Sequence, residues 1–233
     1  MRWSPGRLLT AVGLGAWAGL FWFLLLSGRS SLYLSPRTDW VVPVGAILLS
    51  IAALGRAASA RVASPTPLSA KETWGLGVIV LPVAVVLALP PSSLGSFAAS
   101  KRSTFASAGF VASAEDVSTG ELTLVDIVGA LRSEEASEAL ARRAGEEVTF
   151  VGFVSRDRGM PADEFMLTRF VISCCVADAL SVQVRVVGVP PGDFSNDEWV
   201  SVTGRFYPLG ELSVVQTIEI ESVPRPRHPY LNP

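Results

Sequence analysis

Three stretches without a charged side chain dominate the first hundred residues and fix what the chain can become. Residues 8–28, 40–55 and 73–100 are 21, 16 and 28 uncharged positions in turn. Crossing the hydrocarbon of a bilayer takes roughly 20 apolar residues in a helix, so the first and third runs suffice outright. The second reaches that length through Ala57-Ala58-Ser59-Ala60, with Arg56 snorkelling toward the head groups. The sequence therefore predicts transmembrane helices at about 8–27, 40–58 and 73–91. Arg2 and Arg7 ahead of the first run also suit a signal peptide. No small-x-small cleavage site follows Leu26, however, and more spans come after it.

Charge divides the chain in the same place. Residues 1–72 carry seven Lys or Arg against two acids, a balance of +5, and the remainder carries 12 basic against 19 acidic residues, a balance of −7. An acidic distal part argues against nucleic acid as a partner, because phosphates demand a basic face. One histidine in the whole chain, His228, removes most schemes of histidine ligation or acid–base catalysis. With the amino terminus inside, five basic residues flank the inner side and four the outer, a slight bias under the positive-inside rule. Three spans then place the distal part outside the cytoplasm.

Within the spans, Trp17, Phe21, Trp22 and Phe23 gather toward the far end of the first, where aromatic rings anchor at the interface. Gly15 and Gly19 make a small-xxx-small pair that permits close helix approach, although glycine is also simply common in membrane helices. Residues 92–120 read as a linker rich in Ser and Ala. Thr123-Leu-Val-Asp126 carries a capping-box signature, and a second short helix is predicted from Glu134 to Arg143, capped by Ser133 and closed by Gly145.

From Glu146 the apolar period changes to two. Strands are expected over 148–154, 164–177, 181–187, 199–206 and 212–221. In the last, Leu212, Val214, Ile218 and Ile220 should share the inner face. Turn signals near 156–161, 190–193 and 208–210 separate these strands. The fold class predicted is three transmembrane helices (1–91), the linker, and an α+β domain (121–233) with two short leading helices and a five-stranded OB-like β-barrel. The tail Pro224-Arg-Pro-Arg-His-Pro229 cannot extend a ladder.

Chemistry concentrates in Arg169-Phe-Val-Ile-Ser-Cys-Cys-Val-Ala-Asp178, which holds both cysteines of the chain. On a strand, Cys174 and Cys175 point to opposite faces. Cys174 shares parity with Phe170 and Ile172 and is expected in the core, whereas Cys175 shares parity with Arg169 and Ser173 and is expected at a groove or in solvent. Three readings stay open: buried small apolar residues, a redox pair, or a soft-metal handoff site with Asp178 or His228. Neighbouring α-carbons sit only about 3.8 Å apart, below the usual disulfide range, so a bond between them would be strained and reducible. A closed zinc site lacks the customary gap between ligands. The candidate functional set is Cys174, Cys175, Asp178 and Arg169, with Arg169 balancing the thiolate or the acid and lowering a thiol pKa. No phosphate loop, paired carboxylate or nucleophile–base pattern is present, which points away from an enzyme and implies no cofactor.

These segments carry a resemblance. Ser27-Gly28, Tyr33-Leu-Ser-Pro-Arg37, Leu89-Pro-Pro91, Val151-Gly-Phe-Val154, the Arg169–Asp178 string with Ala179, Asp197-Glu-Trp-Val-Ser-Val-Thr-Gly204 and Pro229-Tyr230 follow one another in an order that resembles the YcgQ-like family of bacterial membrane proteins. The resemblance implies a subunit of a two-component permease, acting beside a large multi-spanning partner, with a link to metal homeostasis in some members. Many members carry a histidine-rich loop between the second and third spans; here residues 56–71 contain no histidine. The expected function is a non-enzymatic accessory subunit of a permease for metal or another small solute, with membrane lipid and the permease as partners. The alternatives are a membrane-anchored thiol-redox protein or sensor and a membrane-tethered protein-binding module.

Overall fold

A computed structural model describes residues 2–62, 69–89, 92–101, 112–209 and 212–232. The chain divides into two compact units, residues 1–92 and 93–233.

The first unit is built from α1 (Pro5–Leu26), α2 (Val41–Ala58) and α3 (Ala70–Ala88), each long and apolar enough to cross a membrane. Gly28, in the left-handed region at φ 67°, ends α1 and leads into a 3-10 turn at Arg29–Leu32. Helix α1 packs against both of the others, and glycine sets how closely. A Cβ at Gly45 would stand 2.5 Å from the Phe21 ring, and one at Gly13 would stand 2.5 Å from Leu76. The Trp17 indole donates to the Ile79 carbonyl (3.1 Å) and the Trp22 indole to the Ser50 hydroxyl (3.2 Å). One end of the bundle is closed by a two-residue ladder of β1 (Arg2–Trp3) with β2 (Arg61–Val62). Helix α3 starts from a complete capping box between Ser69 and Glu72. Apart from Ala11, Gly13, Ala18 and Leu20 of α1, Val42 and Ala46 of α2, and Val83 of α3, the residues of these helices are not buried.

The second unit holds α4 (Ser96–Ala99), α5 (Ala114–Thr119), α6 (Leu124–Ala130) and α7 (Glu134–Ala141), then β3 (Glu147–Ser155), β4 (Glu164–Val171), β5 (Leu180–Val187), β6 (Trp199–Leu209), β7 (Leu212–Ser222) and β8 (Tyr230–Leu231). Thr123 and Asp126 form the predicted capping box of α6, and the Ser133 hydroxyl accepts from Ala136 N at the start of α7. The stretch predicted as an extended linker, 92–120, instead contains α4 and α5. Val117 of α5 is fully buried in the core, which is why that segment folds; residues 102–111 lie outside the described ones.

The strands close in the order β3-β6-β7-β5-β4 and back to β3, the closing pair matching Phe153 with Thr168 through Ser155 with Met166. Strands β5 and β7 run parallel, the others in the ring antiparallel. This is the predicted closed five-stranded barrel. Its interior is filled by Phe165, Leu167, Val182, Val184, Val186, Val200, Val202, Phe206 and Val215, joined in one apolar cluster with Ile127 and Leu140 from the leading helices. Burying each such side chain is worth roughly 1.5–3 kcal/mol.

The inner face of β7 differs from the alternation read in the sequence. Ser213 and Val215 are buried, while Ile218 is 57% exposed. Thr203 pairs with Glu219 and Gly204 with Thr217, so Ile218 is an extra residue and the alternation flips there. Beyond the bulge, Ile220 packs against the core as expected.

Candidate functional site: a carboxylate-capped turn bearing two thiols

The predicted strand through Ala177 ends at Val171, and this relocates both cysteines. Val171 pairs with Leu180 as the last rung between β4 and β5. Ile172 N then donates to the Leu231 carbonyl at 3.0 Å, pulling the chain toward the C-terminal segment rather than onward along the ladder. Residues 173 and 174 bend, Cys175 is extended, and Val176–Asp178 form a 3-10 turn. Strand parity therefore no longer applies. Cys174, expected in the core, is exposed, and Cys175, expected outside, is half-buried.

The turn is organised by Asp178. Its Oδ2 accepts from Cys174 N at 2.9 Å and its Oδ1 from Ser173 N at 3.2 Å, while its own N–H donates to the Cys175 carbonyl at 3.1 Å. Burial works to raise the Asp178 pKa. The N–H and thiol of Cys174, with the N–H groups of Ser173 and Cys175, outweigh that and hold the carboxyl below its ordinary value. The reciprocal effect falls on the thiol. Its hydrogen bond to Asp178, with a further one toward Cys175, pushes Cys174 up to about 11. Neither cysteine is in a disulfide, and their sulfurs lie 3.7 Å apart.

At neutral pH, Cys174 is thus a protonated donor and not a ready nucleophile. Asp178 is spent on holding the loop shape. The sequence expectation of a depressed thiol pKa is reversed, because the charge beside the thiol is negative.

Arg169 is engaged elsewhere. Its guanidinium is buried, donating from Nε to the Pro229 carbonyl (3.0 Å), from Nη2 to the His228 carbonyl (3.1 Å) and from Nη1 to the Val151 carbonyl (3.4 Å), and it lies 5.4 Å over the Trp199 ring. Burial lowers its pKa to about 10. So Arg169 does not balance the thiolate or the acid; it clasps the tail. His228 contributes its carbonyl to that clasp. Among the described residues, no three His, Cys, Asp or Glu side chains are grouped to hold a metal.

Sequence reasoning missed the patch this clasp completes. Phe153, Phe170, Ile172, Ala179, Trp199 and Tyr230 form a second apolar cluster, against which Leu94, Ala98 and Val176 pack. Tyr230 and Leu231 pair in parallel with Phe170 and Val171, and the Tyr230 hydroxyl accepts from Leu94 N at 3.2 Å. The signal available was the apolar Tyr230-Leu231 pair directly after the proline-rich tail. Replacing Arg169 with alanine should strand the two tail carbonyls, each bond to a charged donor being worth about 1.5–3 kcal/mol. The measurable result is faster tryptic cleavage after Arg227 in otherwise folded protein.

Comparison with known proteins bears on the distal unit. No curated protein matches the chain. Among solved structures, a chain of a replication protein A heterotrimer bound to ssDNA is similar at 18% identity and a TM-score of 0.23, over 34% of this chain and 57% of that one. The DUF1980 C-terminal domain matches residues 108–233, which contain α5 to α7, the whole barrel and the cysteine turn, and on that match the chain belongs to the DUF1980 family.

Proposed function

We propose that this protein is a non-enzymatic accessory subunit of a membrane permease that moves metal or another small solute. Helices α1 to α3 anchor it in a bacterial cell membrane, and the barrel lies on the extracytoplasmic side. The observation that carries the reading is the unequal use of glycine on α1. Gly13 is consumed inside the bundle by Leu76, whereas a Cβ at Gly15 or Gly19 would meet nothing within 4 Å. Val12 and Leu26, also exposed, extend that open apolar face. Close helix approach through small residues is how membrane helices associate, since lipid tails are as apolar as leucine. A multi-spanning permease would supply the facing helix.

The raised pKa of Cys174 supports the non-enzymatic part of the reading, because it withholds the thiolate that a membrane-anchored redox enzyme would use near neutral pH. The exposed turn offers a fixed shape to a partner instead. In mild detergent, the full chain should co-purify with a multi-spanning protein encoded by its host. Gly15→Leu with Gly19→Leu should reduce the recovered partner about tenfold, a loss of ~1.4 kcal/mol, while the variant stays in the membrane fraction. Undiminished recovery with both leucines would defeat this docking face. Reversible loss of two daltons from the thiol pair at neutral pH would favour the redox alternative.

A further inference from the structure

At the end of the bundle closed by β1 and β2 lies a cavity of about 470 Å³. Its wall takes Arg7 from α1, Arg56 from α2, and Glu72 with Gly75 from α3. Two guanidinium groups therefore share one cavity. Arg7 donates to the Ser59 carbonyl at 2.5 Å, a neutral partner. Arg56 is exposed, and no acidic group pairs with either arginine among the described residues. The Glu72 carboxylate in the wall is held by Ser69 N (2.9 Å) and the Ser69 hydroxyl (3.0 Å), so its charge remains and the lining is positive by one, two guanidinium groups against one carboxylate.

The start of α1 adds to the positive field. Ser4 caps that 22-residue helix with no side-chain hydrogen bond, and Gly6, in the second helical position, lines the cavity without a Cβ. First-turn N–H groups of a long helix carry a partial positive charge. Depth is marked independently by tryptophan. Trp3 and Trp74, at the same end of the bundle, are 53% and 77% exposed, and Arg61 lies 4.9 Å over the Trp3 ring. Exposed tryptophan and arginine at a helix end mark the head-group level.

We propose that this cavity is a phosphate-binding site, filled by the head group of an anionic phospholipid. A phosphodiester would meet both guanidinium groups, with its acyl chains passing along α1 and α3 beside Leu9 and Ile79. The inference requires α1 to α3 to lie in the bilayer, and does not depend on a permease partner.

The test uses the full chain, delipidated in detergent and then offered phosphatidylglycerol, phosphatidylcholine or inorganic phosphate. Retained lipid is read by mass spectrometry of the intact protein and bound phosphate by isotope retention. Wild type should keep phosphatidylglycerol in preference to phosphatidylcholine. Arg56→Gln should weaken retention about fivefold and Arg7→Gln with Arg56→Gln by about 25-fold, whereas Arg7→Lys with Arg56→Lys should keep most of it. The Arg56 side chain makes no hydrogen bond or ion pair among the described residues, so its variant tests the site without disturbing the bundle. Tight retention of inorganic phosphate, lost in the Gln pair, would assign the same site to a free anion. Equal retention of both lipids by wild type, or retention and phosphate binding unchanged in the Gln pair, would overturn the proposal. Carbonate extraction of the same membranes separates that outcome from a chain that is not inserted at all.

Discussion

Gly204→Ala should strongly destabilise the barrel. Gly204 sits at the register shift between β6 and β7, where its partner strand bulges. A Cβ there would land on the Gln216 carbonyl oxygen and come within 2.7 Å of Val215 Cγ1. The first obstacle is backbone of the paired strand, so it cannot rotate away as a side chain would. Relief requires parting β6 from β7, and β7 also holds the parallel pairing to β5. Overpacking of this kind costs about 3 kcal/mol or more, a large fraction of the 5–15 kcal/mol that typically keeps a domain folded. Thermal unfolding followed through Trp199, which is buried in the second apolar cluster, should shift down by roughly 10 °C or more. Gly55→Ala, where a Cβ meets open space, should leave the same transition in place. An unshifted midpoint for Gly204→Ala would show that the two strands are not packed this closely.

Asp178→Asn should make Cys174 reactive. The amide keeps one acceptor oxygen where the carboxylate uses two, and it presents no negative charge to the thiol. As the pKa falls from about 11 toward its ordinary value near 9, the thiolate fraction at pH 8 rises about 100-fold. Lower basicity makes each thiolate a poorer nucleophile, so the net gain in alkylation rate is about tenfold. Peptide mass spectrometry after iodoacetamide treatment would resolve Cys174 from Cys175, and an unchanged rate at Cys174 would refute the account.

The pH dependence of the native turn follows with two signs. Asp178, with its folded pKa lowered, contributes stability that is present above the ordinary carboxylate range and is lost as pH falls through the depressed value. Cys174, with its folded pKa raised, contributes stability that is complete below about 9 and is lost as pH rises through about 11. Between those limits the turn keeps its shape.

The architecture was legible where one local rule decided it. Charge-free length marked all three long helices, the Thr123–Asp126 capping box marked α6, alternation marked four strands of the barrel, and a long apolar run marked the fifth, β4. What escaped depended on partners distant in sequence. Alternation along β7 missed Val215 and misassigned Ile218 because a bulge is set by pairing with β6. The strand bearing the cysteines was drawn too long because Ile172 is captured by Leu231, and no local pattern announces that hydrogen bond. With the strand shortened, parity reversed for both thiols. Arg169 was matched to the thiols and Asp178, yet its acceptors are backbone carbonyls at 151, 228 and 229. Carbonyls have no residue identity, so composition cannot reveal them. The nearness of Asp178 to the thiols was readable from its position; its role as a cap for the turn was not.

The parallel pairing of Tyr230 and Leu231 beside the Leu94–Tyr230 hydrogen bond has a mechanical meaning. Chain arriving at 94–99 and chain leaving at 228–231 are fastened to one small patch of the domain. A pull applied between residue 94 and the last residues would therefore be borne in shear at that seam, and the barrel's own hydrogen-bonded rungs would stay unloaded until the seam gave way.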